Sequence, residues 1–230
     1  MFYIVGGAAV VLLIFGLLAF LDGVFMVYKT EQENFWSGDF GDEYIARNQG
    51  DAEISSSTAM FSNVLRTSTP ISSVIEFGAN IGINLKAIQR LFPEVDMSAV
   101  EINEKAVEQL RKIEGLEVKF SSILEFIPTE EKDLVLIKGV LIHINPDELN
   151  RAYEVLYKSS GKYICIAEYY NPSPVEVGYR GHEGRLFKRD FAGEIMDIYP
   201  NLELVDYGFV YHRDRNFPQD DITWFLLEKK

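Results

Sequence analysis

Apolar and polar positions follow two different rules along this chain. Ile4 to Leu21 form an unbroken uncharged, mostly apolar run, IVGGAAVVLLIFGLLAFL, resumed after Asp22 by Val24–Tyr28. A run of that length predicts a transmembrane helix, so residues 4–28 are expected to tether the chain to a membrane. Lys29 follows directly, and the positive-inside bias places the rest on the cytoplasmic face of an inner membrane. No basic residue precedes the run and no small-residue cleavage site is clear, which argues against a secretory signal. The competing reading starts the native protein at Met26, so that the upstream residues belong to no mature product.

Beyond Lys29 the pattern becomes that of a globular domain. Residues 29–69 are polar and helix-prone, with Phe35, Trp36, Phe40, Tyr44 and Ile45 spaced along them. They predict a helical cap over the core or a site, broken at Ser37-Gly38 and Phe40-Gly41. Ser55 is expected to cap a helix that stops at Thr69-Pro70. Short β-rich runs then alternate with helical ones. Strands are expected at 74–77, 97–102, 116–120, 133–138 and 162–167. Helices are expected at 84–92, at 103–113 with Asn103 as cap, and at 146–158 with Asn145 as cap and Pro146 in its first position. Such alternation predicts βαβ units and a mostly parallel sheet. Leu202–Tyr211 and Ile222–Glu228, joined by the turn-rich RDRNFPQDD, predict an antiparallel hairpin at the end. The expected fold class is therefore α/β over residues 70–230: a Rossmann-like, mostly parallel sheet with helices on both faces and a C-terminal antiparallel hairpin.

Composition narrows the function classes. The chain has 22 Lys+Arg against 35 Asp+Glu, a formal net charge of −13. No nucleic-acid partner is expected from so acidic a chain, because backbone-directed binding needs a basic footprint. The single cysteine, Cys165, excludes an intrachain disulfide framework and a multi-cysteine zinc site. No other cluster with metal-ligand spacing is visible, so no metal is expected.

The most informative local pattern is Val74-Ile-Glu-Phe-Gly-Ala-Asn-Ile-Gly-Ile-Asn84, a strand running into a helix through a glycine turn. Gly78 and Gly82 permit close backbone approach to a ligand, and the following helix aims its amide-rich end at the same place. The glycine spacing differs from the dinucleotide fingerprint G-x-G-x-x-G, which disfavours an NAD-dependent oxidoreductase. Glu101, at the end of the second strand, is placed to accept hydrogen bonds from ribose hydroxyls. The competing reading is a tight turn without ligand and a solvated strand-end carboxylate.

Glu76-Phe-Gly-Ala-Asn-Ile-Gly82 resembles motif I of class I S-adenosylmethionine (SAM)-dependent methyltransferases, with Asn80 in place of the middle glycine. Asp133-Leu-Val-Leu-Ile-Lys-Gly-Val-Leu-Ile-His-Ile144 resembles that superfamily's fourth-strand motif. The resemblance implies a seven-stranded sheet and SAM as cofactor. It assigns Glu76, Gly78, Asn80 and Gly82 to the methionine part and ribose. Lys138 and Gly139 would face the sulfonium, and Ser121, Ser122 and Ile123 the adenine. Most relatives carry an acid where this chain has Ser122. Three further blocks, 29–48, 167–194 and 206–229, resemble the methylase family associated with pseudaminic acid biosynthesis. That likeness implies a bacterial nonulosonic sugar or its precursor as substrate.

Arg180, Arg185, Lys188 and Arg189 gather among Tyr169, Tyr170, Asn171 and Tyr179, against the grain of the net charge. Arginine forks bind carboxylates and phosphates, and tyrosines stack on or hydrogen-bond to sugars. A loop binding a small anionic sugar is expected, with Tyr211 nearby; the alternative is a solvated basic surface paired with Glu176, Glu183 and Asp190. His143, His182 and His212 are the candidate bases for a hydroxyl acceptor, His143 being as readily a core histidine. A non-catalytic SAM-binding partner of a sugar-modifying assembly, or a methyltransferase of an unrelated small anionic substrate, are the alternative functions.

Overall fold

A computed structural model describes residues 28–47 and 50–230. The apolar run Ile4–Leu21 lies outside them; among the described residues no helix is long and apolar enough to cross a membrane.

The described residues begin with three helices, α1 (Glu31–Ser37), α2 (Asp39–Arg47) and α3 (Asp51–Val64). They lead into β1 (Ser73–Phe77), α4 (Ile83–Leu91), β2 (Asp96–Glu101), α5 (Glu104–Leu110), β3 (Leu116–Phe120) and β4 (Lys132–Lys138). Next come α6 (Leu149–Ser159), β5 (Ser160–Glu168), a two-residue pair β6 (Val175–Glu176) and β7 (Phe187–Lys188), α7 (Phe191–Ile198), β8 (Leu202–Val210) and β9 (Ile222–Lys229). The seven-stranded sheet runs β3-β2-β1-β4-β5-β9-β8. Its first five strands are parallel, while β9 lies antiparallel to both β5 and β8. The predicted C-terminal hairpin is therefore present.

The central strands are mostly apolar because both faces are covered, with Glu76 of β1 a buried exception. Ile75, Phe77, Val135 and Ile137 point into one core with Leu156 and Ile195. Val74, Leu134 and Leu136 point into the other with Phe61, Leu85 and Ile88. Crossovers leave β1 and β4 in opposite directions, so a crevice opens at their carboxyl ends, where open α/β sheets place ligands.

Several boundaries differ from expectation for local reasons. Helix α3 begins at Asp51, four residues before the expected cap. The Ser55 hydroxyl donates back to the Asp51 carbonyl at 2.8 Å, so it serves the helix interior, and Asp51 and Glu53 favour the dipole of the first turn. Gly38 separates α1 from α2, but Gly41 lies inside α2. A Cβ on Gly41 would sit 1.9 Å from the Trp36 carbonyl oxygen, so this glycine serves close packing rather than a break. The helix expected from Pro146 starts as a 3-10 turn, Pro146–Glu148, before α6. Helix α7, unforeseen, is capped by the Asp190 carboxylate, which accepts from the Gly193 amide at 2.9 Å.

Candidate functional site

The β1–α4 turn closes one wall of a cavity of about 1210 Å³ at the carboxyl edge of the sheet. Gly78, at φ +71°, leaves no room for a side chain: a Cβ would stand 2.3 Å from Val140 Cγ2. Gly82 begins α4 in the left-handed region at φ +81°, against Ile113. Between them Asn80 takes φ +48°, a conformation asparagine tolerates better than most residues, so it follows the path a middle glycine would. Gly78→Ala is expected to lower stability by about 1–3 kcal/mol, through strain and displacement of Val140. Thermal unfolding of the apo protein measures it, with a drop of several degrees as the expected result.

Glu101 holds this turn from the adjacent strand. One carboxylate oxygen accepts from the Asn80 amide at 2.7 Å; the other accepts from the Ile102 and Asn103 amides at 2.9 and 2.8 Å. Burial raises its pKa against these three bonds. Glu76 is fully buried, and burial pushes its pKa up to about 8. Its Oε1 accepts from Asn84 Nδ2 at 2.6 Å, whereas among the described residues Oε2 has no partner, and the buried Asn80 Oδ1 has none either. Lys138 lies on the cavity wall at the end of β4; burial lowers its pKa, opposed by the fields of Glu76, Asp220 and Glu168. Gly139 follows at φ +66° on the same wall.

Glu168, at the end of β5, went unforeseen. Its Oε1 accepts from the Val140 and Leu141 amides at 2.9 and 2.8 Å and so fixes the β4 loop behind Lys138. Burial raises its pKa to about 7. The only hint in the sequence is an acid closing an otherwise apolar strand.

The helical cap supplies the opposite wall. Ser121, Ser122 and Ile123 line the cavity after β3, and the Ser122 hydroxyl donates to the carboxylate of Glu33 on α1. Asn103 Nδ2 donates to Asp42 Oδ1 at 2.9 Å, and Ser57 Oγ donates to Asn84 Oδ1 at 3.1 Å. Helices α1, α2 and α3 are thus each bonded to the site's own framework. The Trp36, His143 and Tyr179 rings cluster, with His143 4.5 Å from Trp36 and 5.0 Å from Tyr179 between centroids. Glu33 and Trp36 both line the cavity, and neither was foreseen as a site residue.

The three histidines separate. His143 lies on the wall with Nδ1 2.5 Å from the Arg185 carbonyl oxygen, so Nδ1 carries the proton and Nε2 is left as an acceptor. Burial lowers its pKa to about 4, so the ring is neutral at physiological pH. His212 also lines the cavity, with Nδ1 2.8 Å from Asp221 Oδ1, an oriented imidazole at the rim. His182 is exposed off the wall, its ring 5.0 Å from that of Phe35. Tyr169, Tyr170, Tyr179, Arg180 and Tyr211 line the cavity; Asn171 and Arg185 do not. Asn171 Nδ2 donates to the Ser173 carbonyl at 2.5 Å. Arg185 pairs with Glu31 at 3.2 Å and lies 5.4 Å over the Phe35 ring, tying the loop to α1.

No family model matches the chain. Among curated proteins it is similar to columbamine O-methyltransferase of Coptis japonica, 27% identical over 156 residues. That match covers 64% of this chain and 44% of the relative, so the chain spans under half of that protein's length. Among solved structures it resembles the plantazolicin methyltransferase BpumL in complex with S-adenosylhomocysteine (SAH), at TM-score 0.61 and 14% identity, covering 86% of this chain and 94% of that one. It also resembles magnesium protoporphyrin IX methyltransferase of Synechocystis PCC 6803 with bound SAM, at TM-score 0.61 and 10% identity, covering 89% and 100%. The chain has the class I SAM-dependent methyltransferase fold.

Proposed function

We propose that the chain is a SAM-dependent methyltransferase acting on a small anionic substrate, a nonulosonic sugar of the pseudaminic acid type or its precursor. The observation that carries the activity is the glycine turn clamped by Glu101 at the head of a large cavity. The residues fit the cofactor: Gly78 and Asn80 take left-handed backbone on the cavity wall, and the Asn80 side chain lines that wall with an Oδ1 that is unpartnered among the described residues, while Glu76 lies buried behind it. When bound, SAM supplies a methyl group already activated by its sulfonium, so the protein's task is chiefly alignment. Glu101 would take the ribose hydroxyls, Glu76 and Lys138 would surround the methionine end, and Tyr169 and Tyr179 would position the acceptor.

A hydroxyl acceptor also requires a base. His143 Nε2 and His212 Nε2 are the two available ring acceptors on the wall, both with Nδ1 engaged. The anionic substrate is supported by Arg180 and Lys188 on the wall and by the family resemblance of residues 167–194. Calorimetric titration with SAM, SAH and NAD tests the cofactor; binding of NAD alone would refute the reading. Methyl transfer from labelled SAM to nonulosonic sugar precursors tests the substrate. Arg180→Ala is expected to raise the acceptor's KM about tenfold or more while leaving SAH affinity intact, as loss of one charge-assisted contact implies. An unchanged KM removes Arg180 from substrate binding.

A further inference from the structure

We infer that Glu33, carried on the N-terminal cap, reads the amino group of the adenine ring; this rests on the reading that the cavity binds SAM. Strand β3 lies beside β2 with Phe120 in register with Glu101. A nucleoside whose ribose meets Glu101 therefore extends its base toward Ser121–Ile123. Val100, Ile102, Ile123 and Ile144 line the cavity around it, apolar walls suited to a flat ring.

The polar groups at that end have their protons committed. The Ser121 hydroxyl donates to the Ser122 carbonyl at 3.0 Å. The Ser122 hydroxyl accepts from the Leu124 amide at 3.1 Å and gives its only proton to Glu33. Glu33 Oε2 accepts from the Lys29 amide at 2.9 Å, the Thr30 amide at 2.8 Å and the Thr30 hydroxyl at 3.1 Å. Among the described residues Oε1 accepts only from Ser122, and Glu33 lines the cavity wall, so a lone pair is left for a ligand's donor. A carboxylate accepts and does not donate, and the exocyclic N6 of adenine is a donor.

A capping-box glutamate needs only the contacts made by Oε2. The bond to Ser122, 89 residues away, and a place on the cavity wall go beyond capping. The same helix reaches the substrate loop, where Gln32 Nε2 donates to the Gly184 carbonyl at 2.9 Å. Helix α1 thus touches both Ser122 and that loop.

The test titrates the folded protein with SAH and with S-inosylhomocysteine, whose ring carries a carbonyl oxygen in place of the amino group. Wild type is expected to prefer SAH by about tenfold or more, the worth of a hydrogen bond to a charged group. Glu33→Gln is expected to weaken SAH about 10- to 100-fold and to shift preference toward the inosyl analogue, because its amide can donate to that oxygen. Equal binding of both ligands by wild type overturns the assignment even if the variant fails to fold. A folded variant with the wild-type ratio overturns it as well. Wild type binding neither ligand removes the SAM reading itself, whereas SAH binding without ring preference removes only the role of Glu33.

Discussion

Glu101→Ala is expected to abolish measurable SAH binding, a loss of about 100-fold or more, and to lower the stability of the apo protein. Two effects combine. The carboxylate accepts from three backbone amides, those of Asn80, Ile102 and Asn103. Its removal leaves these donors in a pocket where Glu101 itself is 7% exposed, and each orphaned donor costs about 1–3 kcal/mol unless water replaces the lost acceptor. The Asn80 bond also holds a non-glycine residue at φ +48°. Without it the turn is free to relax away from the geometry that admits a ligand. On the proposed function, the ribose loses its charged acceptor in the same step, worth about another 1.5–3 kcal/mol. Glu101→Gln separates the two: it keeps volume but sets an NH2 group against at least one of the backbone donors. Calorimetry with SAH and thermal unfolding of each variant provide the measurements. Full SAH affinity in a folded Glu101→Ala protein would end the ribose assignment.

The centre of the sheet was legible because β1, β4 and β5 are buried on both faces and announce themselves as short apolar runs, while the more exposed β3 and β8 were legible from their β-rich composition and flanking turns. The glycine turn and Glu101 were legible because each lies at a strand end, where the topology alone fixes position. The cap's contributions were not. Thr30-Glu31-Gln32-Glu33 reads as a complete local capping box, which it is, and that local account conceals the contact of Glu33 with Ser122 across the fold. Arg185 and Arg180 look alike in sequence. One is spent on Glu31 and the Phe35 ring while the other, at φ +50°, faces the cavity; only tertiary packing separates them. The histidines divide for the same reason. His143, in the apolar VLIHI, is buried and yet on the wall, while His182, in the more polar segment, packs edge-on against Phe35 outside it.

The apo protein is expected to lose stability as pH rises from 6.5 to 9, and Glu76→Gln is expected to flatten that slope. Glu76 has a folded pKa of about 8 against an ordinary 4.5, because burial outweighs the Asn84 bond and the field of Lys138, while Glu101 adds repulsion. Glu168 moves in the same direction, to about 7. A carboxyl whose folded pKa is raised stabilises fully below its unfolded pKa and loses that contribution as pH climbs through the folded value. The window therefore runs from about 4.5 to about 8. Other groups bound it. Asp133, lowered to about 2, acts only at far more acid pH, and the penalty for charging His143, lowered to about 4, falls below pH 6.5. Between pH 6.5 and 9 the two acids together lose about 2–3 kcal/mol, and Lys138, lowered by burial, opposes the trend once it deprotonates, so the net loss is set at about 1–2 kcal/mol. Unfolding temperature should fall by roughly 2–8 °C between pH 6.5 and 9 in wild type and by less in Glu76→Gln, which retains the acceptor for Asn84. The same proton bears on function. On the proposed function, an ionised Glu76 behind the wall would favour the cationic methionine end of SAM, so binding at pH 7 should release a proton, seen calorimetrically as a dependence on buffer ionisation enthalpy. Glu76→Gln would then be the more stable protein at pH 9 and the weaker binder of SAM, a trade expected where a buried charge is kept for its ligand.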